Sequence, residues 1–314
     1  MMTSLFLMVN SACDIACTYC FYTTGYEKRS RDRILPRQAG HVAKRIAEAR
    51  FGTVILTGGD PLHSVHKKET YELVSALKAN ALRIIINTSA TRLSERDFDR
   101  LVELAVDRID VSIDSHDSEV HDAQRGRHAD AVRAIRGLLQ RGMPLSTTTV
   151  ATARNAPTLS RTIEWLRDLG VSDIRIQKAF LPGGDLVGHR IVDASLRAVA
   201  PFLGRPHAAR YLEQTIRLFS GKGPLPEARC PMGKEYFVCD ARGNLSSCFH
   251  RGDISLGNLF EDELSTLLGA MESNPLGSEA LPLCVGSHCA SLFDNPSLWR
   301  NQNEKVPSRS LPAV

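Results

Sequence analysis

Cys13, Cys17 and Cys20 stand at Cys-x3-Cys-x2-Cys spacing, directly after the short apolar run Leu5 to Val9. Three thiolates in one tight loop can hold three irons of a [4Fe–4S] cluster, leaving the fourth iron open to a small molecule. Electron carriers fill all four positions with cysteine, so a cluster short of one thiolate is built to bind something and do chemistry on it. A zinc site is the competing reading, as is a coincidence of three cysteines. Zinc sites show Cys pairs at x2 to x4 spacing with a second pair further on, whereas this trio is compact. A disulfide framework belongs to small secreted scaffolds, not to a chain of 314 residues.

The other five cysteines all follow residue 229. Cys230 and Cys248 are separated by 17 residues, and Gly243 lies between them in Asp240-Ala241-Arg242-Gly243-Asn244, a hairpin-turn signal. Cys284 and Cys289 form a second pair. Four thiolates from two separated pairs can close around a second [4Fe–4S] cluster. A zinc ribbon uses the same pattern, and His250 and His288 are further candidate ligands. Cys239, in Tyr236-Phe237-Val238-Cys239, reads as a buried core residue in a strand just before the turn.

The N-terminal trio resembles the cluster loop of the radical S-adenosylmethionine (radical SAM) family, and the resemblance extends over roughly residues 5–180. Tyr19 and Phe21 place aromatics beside Cys20, as that family commonly does. Thr57-Gly58-Gly59-Asp60-Pro61 follows a second apolar strand and is similar to the family's Gly-Gly-Glu-Pro loop, with Asp one methylene shorter than Glu. Ser112 ends the strand Asp110-Val111-Ser112-Ile113-Asp114, and Arg125-Gly126 follows in a loop; both match positions that hold SAM in the family. The resemblance implies that Cys13, Cys17 and Cys20 ligate the cluster and that SAM chelates its open iron through amine and carboxylate. It further implies that Gly58 and Gly59 let backbone approach the methionine amine, that Asp60 accepts from it, and that Ser112 and Arg125 reach the ribose or carboxylate, with Tyr19 beside the cofactor. Asn87 and Gln177, at strand ends, are further pocket candidates. The C-terminal cysteines resemble the auxiliary-cluster (twitch, or SPASM-like) module of one branch of the family, which implies Cys230, Cys248, Cys284 and Cys289 as ligands of an auxiliary [4Fe–4S] cluster. The x4 spacing of the distal pair departs from the tighter x2 of that module.

These groups need a scaffold, and the first 180 residues alternate strand and helix. Strands are expected at 5–9, 54–56, 84–86, 109–113, 147–150 and 174–177, the continuous apolar runs of buried parallel strands. Helices are expected at about 36–50, 68–79, after the Ser94/Asp97 capping signal, from 130 to Gly142, and from Pro157 to Gly170. Six such steps imply a parallel sheet wrapped by helices. The expected fold is α/β, a partial (β/α)6 TIM-like barrel with a small C-terminal auxiliary-cluster domain. Ligands in such folds sit at the carboxyl ends of the strands, where the Cys loop, the Gly-Gly-Asp loop and Ser112 fall. The division expected is 1–180 barrel, 181–224 helical bridge with helices near 194–203 and 207–219, 225–293 auxiliary domain, and 294–314 polar tail.

Composition narrows the function classes. Hydrophobic content is 43% and charged content 24%, the profile of a globular protein. The net charge of +4 is spread without a basic stripe, so no nucleic-acid partner is expected. No secretory signal and no run of membrane-spanning length are present, and a reducing, cytoplasmic setting with no membrane partner is expected. The family resemblance implies a flavodoxin- or ferredoxin-type electron donor. It also implies reductive SAM cleavage to a 5′-deoxyadenosyl radical and hydrogen abstraction from substrate. The leading expectation is a radical SAM oxidoreductase carrying out a two-electron oxidation of a small molecule, with the auxiliary cluster accepting an electron. Only twelve residues precede Cys13, short of a leader-peptide-binding domain, which tilts the expectation away from a peptide maturase forming thioethers, crosslinks or epimers. A non-catalytic zinc-binding protein is the reading from another class.

Overall fold

The structure is a computed structural model that describes residues 3–20, 32–179, 186–199, 232–249 and 254–274. Six strands, β1 (Thr3–Asn10), β2 (Phe51–Gly58), β3 (Arg83–Thr88), β4 (Arg108–Ser112), β5 (Leu145–Ala151) and β6 (Asp173–Lys178), alternate with helices. The helices are α1 (Ala39–Glu48), α2 (Lys67–Ala79), α3 (Glu95–Glu103), α4 (Ser118–Gln124), α5 (His128–Gln140), α6 (Leu159–Asp168) and α7 (Leu186–Val199). Each strand pairs in parallel with the next, giving the order β6-β5-β4-β3-β2-β1 of a partial barrel.

Local chemistry accounts for these elements. Val42, Ala43 and Ile46 recur on one buried face of α1, and Leu73, Val74 and Leu77 on one face of α2. The Asp97 carboxylate accepts from the Ser94 backbone N–H at 2.7 Å, closing the first turn of α3. Gly142 and Gly170 follow α5 and α6 with φ of 67° and 95°, the left-handed geometry that ends a helix.

Three features depart from the sequence reading. The helix α4 was not expected, because SEVHDAQ has no apolar period; its signal is Asp117, whose carboxylate accepts from Glu119 N at 2.9 Å as an N-cap. The first helix beyond the barrel spans 186–199 rather than starting near 194. The expected Pro182-Gly183-Gly184 break, the helix at 207–219 and the tail lie outside the described residues. Finally, β7 (Tyr236–Cys239) pairs in parallel with β1, and β8 (Asn244–Ser246) and β9 (Ser255–Asn258) follow antiparallel, so one nine-stranded sheet runs from barrel into C-terminal region. The expected turn at Gly243 is there: its φ is 93°, and its N–H donates to Asp240 O at 3.0 Å. Helix α8 (Leu264–Glu272) follows, and the Arg45 guanidinium on α1 caps its approach by donating to the carbonyls of Leu259 and Asp262.

The sheet has two unlike faces. Leu5, Leu7, Leu56, Ile84, Ile86, Ile109 and Val111 point toward the helices and form the main core. On the opposite face, β1 to β3 present Phe6, Met8, Ile55 and Ile85, packed with Met232, Val238 and Cys248. The register carries that inner face onward to Arg108, Asp110 and Ser112 on β4, Ser146 and Thr148 on β5, and Asp173, Arg175 and Gln177 on β6. The inner face is therefore apolar on one half and polar on the other. Among the described residues, no helix is long and apolar enough to cross a membrane.

Candidate cluster and cofactor site

The Cys loop leaves the carboxyl end of β1 and is braced on both sides. On the Cys13 side, Asn10 is the hub. Its side-chain amide donates to Asp60 O at 2.9 Å, and its Oδ1 accepts from Ala12 N at 2.9 Å. Gly59 N donates to Asn10 O at 2.8 Å and Asp60 N to Ala12 O at 2.7 Å. Asp14 then takes Ser64 N at 2.7 Å and Ser64 Oγ at 2.5 Å. The Cys loop and the Gly-Gly-Asp loop are thus stitched backbone to backbone.

This contact explains the two glycines. A Cβ on Gly58 would lie 2.3 Å from Asn10 O, and one on Gly59 would lie 2.1 Å from Ala12 O. Gly58 also has a φ of 129°, a conformation open to glycine. The Asp60 carboxylate is turned inward. It accepts from Leu62 N at 2.8 Å, Thr88 Oγ1 at 2.7 Å, Ser89 N at 2.9 Å and the Ser89 hydroxyl. Burial pushes its pKa up, and the Ser89 and Thr88 hydroxyls pull it back. Asp60, expected to accept from a methionine amine, here ties the ends of β2 and β3 together with its side chain.

On the other side, Thr18 N donates to Gln124 O at 2.9 Å at the end of α4. Tyr19 packs with Val150 and Ala179 at the ends of β5 and β6, with Cys17 against them. The Tyr19 hydroxyl donates to Asp114, a fully buried carboxylate. Arg125 forks onto the same carboxylate, Nε to Oδ2 at 3.2 Å and Nη2 to Oδ1 at 3.3 Å, and Val150 N adds a bond at 3.0 Å. The Arg125 guanidinium lies 5.5 Å from the Tyr19 ring centroid. Arg125, which the family resemblance places at the SAM ribose or carboxylate and whose alternative is a surface residue at a helix start, is paired here with a buried carboxylate of this chain. His121 completes the nest. Its Nδ1 accepts from Asp114 N at 3.1 Å and its Nε2 donates to Gly126 O at 3.1 Å, which fixes the tautomer.

The three cysteines form no disulfide; Cys17 and Cys20 are half-buried and Cys13 is exposed. Burial at the sulfur pushes the Cys13 thiol up to about 12, aided by Asp60 and by the other two cysteines. Cys17 is also raised by burial, with Arg125 pulling against it. Burial thus disfavours the thiolate at Cys13 and Cys17, and a bound metal would supply the charge that stabilises it there. Among the described residues, no three His, Cys, Asp or Glu side chains are gathered as a single ion would need. A cubane takes each thiolate at a different iron and does not require the three sulfurs to meet at one ion.

Ser112 is half-buried at the end of β4, in register with Thr148, which is in register with Arg175. Asn87 lies one strand away in register with Asp110, and Gln177 in register with Val150. Below Ser112, Asp110 accepts from Ser146 Oγ at 2.9 Å and Thr148 Oγ1 at 2.7 Å, with Arg175 Nε 3.7 Å away. Arg108 stands 3.6 Å from Asp173. Of the C-terminal cysteines, Cys248 is buried on the inner face, whereas Cys239 is fully buried on the helix-facing side. The two therefore point away from each other across the sheet. Cys230, Cys284, Cys289, His250 and His288 lie outside the described residues.

Sequence reasoning missed Asn10, Asp14, Asp114, His121 and Asn155, whose amide donates to Asp114 O at 2.8 Å. Asp114 carried a signal: it follows Ser112 by two residues, so it shares its face, and a charge at the end of an apolar strand needs partners.

The sequence profile of the radical SAM superfamily matches residues 7–168, just over half of the 314 residues. An AdoMet-dependent heme synthase of Methanosarcina barkeri is 25% identical over 165 residues, covering 52% of this chain and 46% of that protein. The mycofactocin maturase MftC of Mycobacterium tuberculosis is 27% identical over 151 residues, covering 47% of this chain and 37% of that one. The matches thus span about half or less of these relatives. The solved structure of anSMEcpe with bound AdoMet superposes with a TM-score of 0.67 at 16% identity, over 89% of this chain and 83% of that one.

Proposed function

The chain belongs to the radical SAM superfamily, and on that premise we propose that Cys13, Cys17 and Cys20 hold a [4Fe–4S] cluster with one open iron, at which SAM is reductively cleaved. When bound, cluster and SAM together supply a 5′-deoxyadenosyl radical able to take hydrogen from an unactivated carbon. The chain's own residues bind, orient and shield. The backbone of the Gly58-Gly59 turn and the hydroxyl of Ser112 flank the cofactor at the strand ends, and Asp60 keeps that turn in place from beneath. Tyr19 and Arg125 hold the far arm of the Cys loop. Cys230, Cys248, Cys284 and Cys289 would hold the auxiliary cluster of a twitch-like module.

The substrate proposed is a small polar molecule that undergoes a two-electron oxidation. The observation that carries this reading is the inner wall of β4 to β6. Toward the carboxyl ends that wall carries Ser112, Thr148 and Gln177, beneath which the buried Asp110 and Ser146 are hydrogen-bonded to each other. Such a wall receives hydroxyls and amines rather than hydrocarbon. The likeness to a mycofactocin maturase favours a second reading, peptide modification.

The test is anaerobic incubation of reconstituted protein with SAM and dithionite. Formation of 5′-deoxyadenosine is expected, and its absence would sink the proposal. Deuterium transfer into 5′-deoxyadenosine from deuterated polyols and amino sugars supports the first substrate class. Transfer from short deuterated peptides alone supports the second.

A further inference from the structure

We infer that Asp114, Arg125 and Tyr19 form an outer bracket that positions the Cys17–Cys20 arm and sets the electrostatic environment of the cluster, rather than anchoring SAM. This rests on the cluster reading above and goes beyond it, because it assigns Arg125 a new role and Asp114 its first.

Four observations converge. Arg125 is a bidentate partner of Asp114, with side-chain exposures of 10% and 0%. That fork commits the Nε–Nη2 edge of the guanidinium to a carboxylate already supplied by the chain and leaves only Nη1 outside it. The Tyr19 hydroxyl, from between two cluster cysteines, closes on the same Asp114 carboxylate. Asp114 is itself immobilised through its backbone, its N–H on His121 and its carbonyl on Asn155. Last, Cys17 packs against Tyr19, whose hydroxyl meets Asp114 and whose ring centroid lies 5.5 Å from the Arg125 guanidinium. A cation and an anion at different distances from one cluster ligand make a fixed dipole. Net charge, hydrogen bonding and burial around the ligands are the terms that set the potential of an iron–sulfur cluster.

Such a bracket makes a signed prediction. Asp114→Asn removes an anion and keeps the shape, so the midpoint potential of the N-terminal cluster should rise. Arg125→Gln removes a cation, so it should fall, and Arg125→Lys should restore most of that fall. The potential is read by poised redox titration of the EPR signal that changes on adding SAM, alongside iron per chain. The SAM KM of Arg125→Lys should stay within about threefold of wild type, since no charge-assisted bond to SAM is lost.

Shifts of the same sign in Asp114→Asn and Arg125→Gln would overturn the inference. So would unchanged potentials with a SAM KM raised at least about tenfold in Arg125→Lys, the signature of a direct SAM contact. If Asp114→Asn takes up no iron, the Arg125→Gln and Arg125→Lys pair decides alone, because a purely structural role gives no recovery of potential by the lysine. If the wild-type protein holds no cluster, both the proposed function and this inference fall. If the wild type holds one and cleaves SAM, only the inference is at stake.

Discussion

Gly59→Ala tests whether the Cys loop is held by direct backbone contact. The new Cβ would lie 2.1 Å from Ala12 O, 2.5 Å from its carbonyl carbon and 2.7 Å from its nitrogen. All three are backbone atoms, so no side chain can rotate out of the way. Recovering an ordinary contact means parting the two loops by about 1 Å. That displacement breaks the bonds of Gly59 N to Asn10 O and Asp60 N to Ala12 O, at 2.8 and 2.7 Å. Two backbone hydrogen bonds at about 1 kcal/mol each, with overpacking of about 1–3 kcal/mol, give a destabilisation of about 3–5 kcal/mol. The assay is denaturant unfolding of the metal-free protein, with iron per chain measured after anaerobic reconstitution. Gly40→Ala, in α1 with nothing within 4 Å of the new Cβ, is the control and should be stabilising by about 0.4–1 kcal/mol. If Gly59→Ala unfolds within about 0.5 kcal/mol of wild type and takes up full iron, the stitched-loop account is wrong.

Simultaneous Cys13→Ala, Cys17→Ala and Cys20→Ala should lower iron from about eight to about four per chain, by elemental analysis, if two cubanes are present. His121, facing Asp114, Arg125 and His128, has its pKa lowered to about 4, chiefly by burial. The unfolded chain therefore binds a proton that the folded one refuses between pH 6.5 and 4, and stability falls as pH falls through that window. Wild type should lose about 2 kcal/mol more than His121→Gln between pH 7 and 5, read from denaturant midpoints; an equal loss in both contradicts the assignment. Gly137→Ala would put a Cβ 2.6 Å from the Phe98 ring, where α5 meets α3. It should cost about 1–3 kcal/mol on thermal or chemical unfolding with little effect on iron uptake, because the contact is remote from the Cys loop.

Several elements were legible because their causes are local. The alternation of apolar runs with amphipathic segments marks β1 to β6 and most of their helices, since each element announces its own period. The helix α4 escaped because its anchor is one capping Asp and two buried polar residues, His121 and Gln124, not an apolar stripe. Cys239 read correctly as core, since a Cys in an apolar strand with no partner nearby is most simply buried. The role of the Gly-Gly pair was half legible. A close approach was predicted, but the structure adds a partner inside the chain, the backbone of residues 10–12.

The sequence by itself determined the Cys-x3-Cys-x2-Cys spacing of the candidate ligands, the strand–helix alternation and the turn glycines, because spacing and periodicity are properties of adjacent residues. Only the tertiary structure decided that Tyr19 meets Asp114, 95 positions away, and that Arg125 meets it too. It likewise decided that β7 closes on β1, and that the inner wall is apolar on three strands and polar on three. Those outcomes depend on strand order and register. A one-residue slip in register would turn every inner side chain outward, and no short stretch of the chain holds that information.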